Sequence, residues 1–118
     1  MLNQQVHYCM AARLDAVFLA IADPTRRAIL GRLSRGPARI SDVAARFPMS
    51  LTAVCKHVGV LERAGLVRRS RHGRENTLRL SPRPLRGVAR WLSPYGRFWN
   101  ERLDRLETLF AAKKEKLP

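Results

Sequence analysis

The sequence predicts a mainly α-helical fold carrying one small β-hairpin, and three observations lead there. Apolar residues recur at three- and four-residue spacing along most of the chain, the period of helices that bury one face. Only the stretch around His72-Gly73-Arg74 alternates like strands about a glycine turn. The 118 residues are 46% hydrophobic and hold no Gly/Ser/Gln tract, so the chain can bury one domain's core.

After an N-terminal arm, residues 1–12, Leu14, Val17, Phe18 and Ile21 fall at i, i+3, i+4 and i+7 and predict a first helix. Asp23-Pro24 supplies a capping carboxylate and then a proline where its missing N–H costs nothing. A second helix therefore starts at Pro24, turns Ile29, Leu30 and Leu33 inward, and stops at Gly36-Pro37. Ile40, Val43, Ala44 and Phe47 predict a short third helix behind a Ser41 cap, ending before Pro48.

Ser50 caps a fourth helix, on which Leu51, Val54, Cys55, Val58, Leu61 and the stem of Glu62 share a face. Thr52, Ala53, Lys56, Val60 and Arg63 collect opposite, with His57 at the border. That second face is small, polar and cationic, as a helix entering a DNA major groove requires. Gly65 ends this helix in a left-handed cap. Leu66 to Arg71 and Glu75 to Leu80 then form the hairpin, and residues 68–74 put four arginines and His72 at its tip.

From Leu85 the apolar positions recur in sevens: Leu85, Leu92, Trp99 and Leu106, with a second row at Ala89, Gly96, Leu103 and Phe110. Trp91, Tyr95 and Phe98 widen this surface beyond one seam, which predicts a partner subunit. Ser93-Pro94 is expected to kink or split the helix. The domain spans residues 13–112, its terminal helix about 83–112, and residues 113–118 form a basic tail. Helix, helix, helix, turn, helix, hairpin, long helix is the order of a winged helix-turn-helix, here expected to be dimeric.

Twenty-three Lys and Arg against nine Asp and Glu give a net charge of +14, and 19 of the cations are arginine, whose planar fork suits phosphate. The most basic parts are residues 23–50, at +4, and 51–81, at +5. Two cysteines outside any Cys-x-x-Cys pair argue against a disulfide scaffold or a zinc finger and fit a reducing cytoplasm. Neither an export signal nor a membrane span is expected. With no Gly-rich phosphate loop, no paired acids and no triad-like cysteine, the chain does not read as an enzyme. The competing reading is a basic RNA-binding or nonspecific nucleic-acid-binding protein, but such a protein would set aromatics on a basic sheet, and here they gather on the terminal helix.

Three motifs in order carry a family resemblance: Ala22-Asp23-Pro24-Thr25-Arg26-Arg27-Ala28-Ile29-Leu30, then Met49-Ser50-Leu51-Thr52-Ala53-Val54-Cys55-Lys56-His57-Val58, then Leu61-Glu62-Arg63-Ala64-Gly65-Leu66-Val67. Over about residues 13–112 the chain resembles the ArsR/SmtB (arsenic-repressor) family of bacterial transcription regulators. The resemblance implies a homodimer on a pseudo-palindromic operator in double-stranded DNA, repressing until an effector releases it. Its DNA contacts fall on Ser50, Thr52, Ala53, Lys56 and His57 of the recognition helix and on Arg71 and Arg74 of the wing, beside the equally basic Arg69. Dimerisation falls on the first and last helices, here Leu14, Phe18, Leu92, Trp99, Leu103, Leu106 and Phe110.

Two departures bear on the effector. Metal-sensing members carry Cys-x-Cys at the third helix or paired His and acidic ligands on the terminal helix; this chain has Arg39-Ile40-Ser41-Asp42-Val43 at the first place and no histidine after His72. No metal site or resident cofactor is therefore expected. Cys9 and Cys55 are the thiols that trivalent arsenic or antimony, or oxidation, could address. The plainer reading makes Cys55 a small buried hydrophobe and Cys9 an incidental thiol.

Overall fold

A computed structural model describes the backbone of residues 2–116 and the side chains of residues 12–109 and 111. The elements in order are α1 (Leu2–Ile21), α2 (Pro24–Leu33), β1 (Ala38–Arg39), α3 (Ile40–Ala44), α4 (Leu51–Arg63), β2 (Val67–His72), β3 (Glu75–Leu80) and α5 (Leu85–Lys116). The chain divides into two compact units, Met1–Val88 and Ala89–Pro118.

In the first unit α1 runs back to Leu2, through the residues assigned from sequence to an arm. Residues 1–22 contain neither proline nor glycine, so nothing stops helix propagation toward the N-terminus. Asp23 caps α2 as expected, its carboxylate accepting from the Arg26 N–H at 3.0 Å with Pro24 in the first turn. α3 differs from its predicted start. Arg39, not Ser41, is its N-cap and makes no side-chain cap bond, because Ala38 and Arg39 are already extended as β1.

The sheet has order β1-β3-β2 and is antiparallel throughout, with Ala38 opposite Leu78 and Val67 opposite Leu80. Two-residue β1 makes the hairpin a three-stranded sheet, and no local pattern marks so short a strand. β2 and β3 join through Gly73-Arg74, with Gly73 at φ +65° and Arg74 outside the left-handed region, the glycine-first two-residue loop that matches strand twist. α4 ends as the sequence predicts: Leu66 N–H donates to Leu61 O and Gly65 N–H to Glu62 O, both at 2.9 Å, with Gly65 at φ +77°.

The core gathers Val17 and Ala20 from α1, Ile29 and Leu33 from α2, Val43 from α3, Val54, Val58 and Leu61 from α4, and Leu66, Val67 and Leu78 beside them. Leu51, assigned to the inner face of α4, is 54% exposed. It is the first residue of the helix, and helical side chains lean toward the N-terminus, so it projects past the end that packs.

In the second unit α5 continues without division through Pro94. Proline at this position leaves the Arg90 carbonyl without its usual N–H donor, and the Ser93 hydroxyl donates to that oxygen instead, at 2.9 Å. The aromatic residues stack along the helix: ring centroids of Trp91 and Tyr95 lie 5.3 Å apart, and those of Tyr95 and Trp99 6.3 Å. The Arg102 guanidinium lies 4.0 Å over the Phe98 ring.

Candidate nucleic-acid interface

The first turn of α4 leaves backbone N–H groups unpaired within the helix. Ser50 Oγ accepts from Ala53 N–H at 3.1 Å and its carbonyl takes Val54 N–H, while the N–H groups of Leu51 and Thr52 precede any intrahelical acceptor. Ser50 therefore spends its oxygen on the cap and keeps its hydroxyl proton to donate. Thr52 and Lys56, four residues apart, are both exposed on one side of the helix. Ala53 is half-buried next to them and adds no bulk. Lys56 has no ion pair among the described residues.

His57 turns one of its ring nitrogens to the protein itself. It is half-buried, and its Nδ1 lies 3.3 Å from Arg26 Nη1 and 3.8 Å from Asp23 Oδ2, so the ring edge that carries Nδ1 meets α2. Sequence spacing puts it at the border of the exposed face, but a partner 31 positions away takes one of its nitrogens.

The wing separates its arginines by sheet face. The register sets Val67, Arg69 and Arg71 on one face with Leu80, Leu78 and Asn76, and Arg68, Ser70 and His72 on the other with Arg79, Thr77 and Glu75. Arg69 lies on the core side and pairs with Glu62 of α4 at 2.8 Å, so it braces the wing against the recognition helix instead of standing free. Arg71 donates from Nε to Gly73 O at 3.2 Å and fixes the tip. Arg74, at the turn, is exposed and without a partner among the described residues. On the outer face Arg39 pairs with Glu75 at 3.0 Å, whereas Arg68 and Arg79 stand directly opposite each other. That like-charged pair is visible only once the register is known.

Part of the positive charge is structural. Arg26 donates from Nε to Ala20 O and from Nη2 to Leu19 O, Arg27 donates to Ile21 O, and together they satisfy carbonyls in the last turn of α1. Composition alone cannot tell such arginines from those that face a ligand.

The residues predicted for dimerisation fall in both units. Leu14 and Phe18 are half-buried on α1; on α5 Leu92 is half-buried, and Trp99, Leu103 and Leu106 are exposed. The Phe110 and Cys9 side chains lie outside the described residues. Cys55 is a free thiol, half-buried on α4. Among the described residues no group of three or more His, Cys, Asp or Glu could hold a metal ion, and no helix is long and apolar enough to cross a membrane. The Asp23 carboxyl is held below the usual carboxylate range, first because it accepts the Arg26 N–H; burial opposes this, and the Arg26 charge adds a smaller lowering effect.

Residues 21–70 match the family described as "Helix-turn-helix domain". The HTH-type transcriptional regulator Rv2034 of Mycobacterium tuberculosis is 37% identical over 75% of this chain and 80% of its own length. The transcriptional repressor SdpR of Bacillus subtilis is 32% identical over 67% of this chain and 88% of its own. The crystal structure of an ArsR family transcriptional regulator superposes with a TM-score of 0.70 at 42% identity, covering 76% of this chain and 93% of that one. The chain belongs to the ArsR/SmtB family. It is a DNA-binding transcriptional regulator with a winged helix-turn-helix, as its three motifs imply. In ArsR/SmtB terms α4 is the recognition helix and β2–β3 the wing, and the first motif supplies the Asp23 cap and the Arg26 clamp beneath that helix.

Proposed function

We propose that the chain is a homodimeric repressor that sets two copies of α4 into successive major grooves of a pseudo-palindromic operator. The exposed pair Thr52 and Lys56, on a helix whose opposite face is buried, carries this reading. Thr52 and Ala53 meet base edges or a thymine methyl, Lys56 and the Ser50 end of the helix meet phosphates, and Arg74 follows the backbone or a narrow minor groove. Half-sites lie about 34 Å apart, one helical turn of DNA.

The apolar face of α5 supports the dimer. Trp99, Leu103 and Leu106 are exposed along one helix, more apolar surface than a lone helix keeps in water. Sedimentation tests it: wild type sediments as a dimer, and Leu103→Asp with Leu106→Asp yields monomers that lose operator affinity. A wild-type monomer at every concentration contradicts it.

Release by an effector completes the repressor reading, and Cys55 supports a thiol route because it sits within the recognition helix. Arsenite, antimonite or peroxide then releases operator DNA from wild type and fails to do so from Cys55→Ser or Cys9→Ser. Equal release from both variants removes the thiols from the response.

A further inference from the structure

We infer that His57 is a positioning residue, held by Arg26 so as to fix the recognition helix against the end of α1, and is not one of the groups that read DNA. The inference rests on α4 being the DNA-reading helix and changes what one of its residues does.

Arg26 is held at four points. Its backbone N–H donates to Asp23 Oδ2 at 3.0 Å, Nε to Ala20 O at 2.7 Å, Nη2 to Leu19 O at 2.9 Å, and Nη1 lies 3.3 Å from His57 Nδ1. The two carbonyls belong to the last turn of α1, where a helix lacks N–H donors of its own. With Nε and Nη2 engaged there, the orientation of the planar guanidinium is set before it reaches α4.

Chemistry then fixes the imidazole. Arginine offers only donors, so Nδ1 must accept, and the single ring proton resides on Nε2. Asp23 Oδ2 lies 3.8 Å from Nδ1, too far for a hydrogen bond, and is occupied by the Arg26 N–H. The His57 side chain is 24% exposed, so most of the ring belongs to this junction. The end of α1 and the middle of α4 thus meet through one guanidinium, and the backbone N–H of the same residue holds the cap of α2. Losing it frees α4 to shift by a fraction of a turn, and base-edge geometry tolerates little of that.

Two substitutions separate positioning from reading. His57→Asn keeps an acceptor near the place of Nδ1, and His57→Gln keeps an N–H donor near the place of Nε2. A positioning role predicts that His57→Asn holds operator affinity within about threefold. His57→Gln and Arg26→Gln each lose about tenfold or more, the two losses do not add in the double variant, and the salt slope is unchanged because no phosphate contact is removed. Retention by Gln with loss by Asn overturns the inference, as does full additivity. Nitrogen-15 NMR of the ring supplies a readout that needs no DNA: wild type shows the proton on Nε2, and Arg26→Gln shifts the Nδ1 resonance. A proton on Nδ1 in wild type, or no shift in the variant, overturns it. If wild type discriminates between no duplexes, the repressor reading fails, and the NMR result still decides the Arg26–His57 link.

Discussion

His57 Nδ1, midway along the recognition helix, lies 3.8 Å from Oδ2 of Asp23, the residue that caps α2. The carboxylate therefore serves a helix start and sits beside a second helix at once. Its pKa is depressed in the folded state, first by the Arg26 N–H, so its contribution to stability is present above the ordinary aspartate value of about 3.9 and is lost as pH falls through the depressed value. Denaturant unfolding between pH 3 and 7 should show this acid limb in wild type and a flatter one in Asp23→Asn, which keeps an acceptor but no charge. Identical acid limbs would contradict the assignment.

Lys56 and Arg74 are exposed and unpaired among the described residues, so alanine at either should remove a phosphate contact and nothing else. The slope of log affinity against log salt should flatten by about one unit per contact, with unfolding unchanged. An unchanged slope would take that residue out of the interface.

Arg69 should behave differently because it is tied to Glu62 at 2.8 Å with both side chains about one-third exposed. A double-mutant cycle with alanine at each should give a coupling within the roughly 0.2–1 kcal/mol of partly exposed pairs. Zero coupling in unfolding, with a full unit lost from the salt slope in Arg69→Ala, would make it a DNA contact and not a brace.

Arg68 and Arg79 face each other across the β2–β3 ladder, where like charges destabilise. Arg68→Thr should therefore raise the unfolding free energy of the free protein by about 0.2–1 kcal/mol, read by urea denaturation. A fall in stability would show that Arg68 has a favourable partner.

Much of this fold is legible in sequence because its signals are local. Asp23-Pro24, Ser50 and Gly65 each fix a helix end with a cap that needs only neighbouring residues, and all three act as read. β1 is not legible, since its two residues become a strand only by pairing with Thr77 and Leu78. α5 runs on through Pro94 with the Ser93 hydroxyl donating to Arg90 O, a contact that the Ser93-Pro94 dipeptide does not announce. In the candidate site, Thr52, Lys56 and Arg74 are exposed as spacing and turn chemistry predict. The contacts of His57 and Arg69 are not legible, because their partners, Arg26 and Glu62, come from elsewhere in the packed unit.

Competition binding at physiological salt tests most directly whether α4 and the wing read duplex sequence. A duplex from upstream of the protein's own gene should outcompete scrambled duplex and RNA by about 10³ or more, as specific binders do. Equal competition by all three would contradict sequence reading and favour a nonspecific nucleic-acid-binding protein.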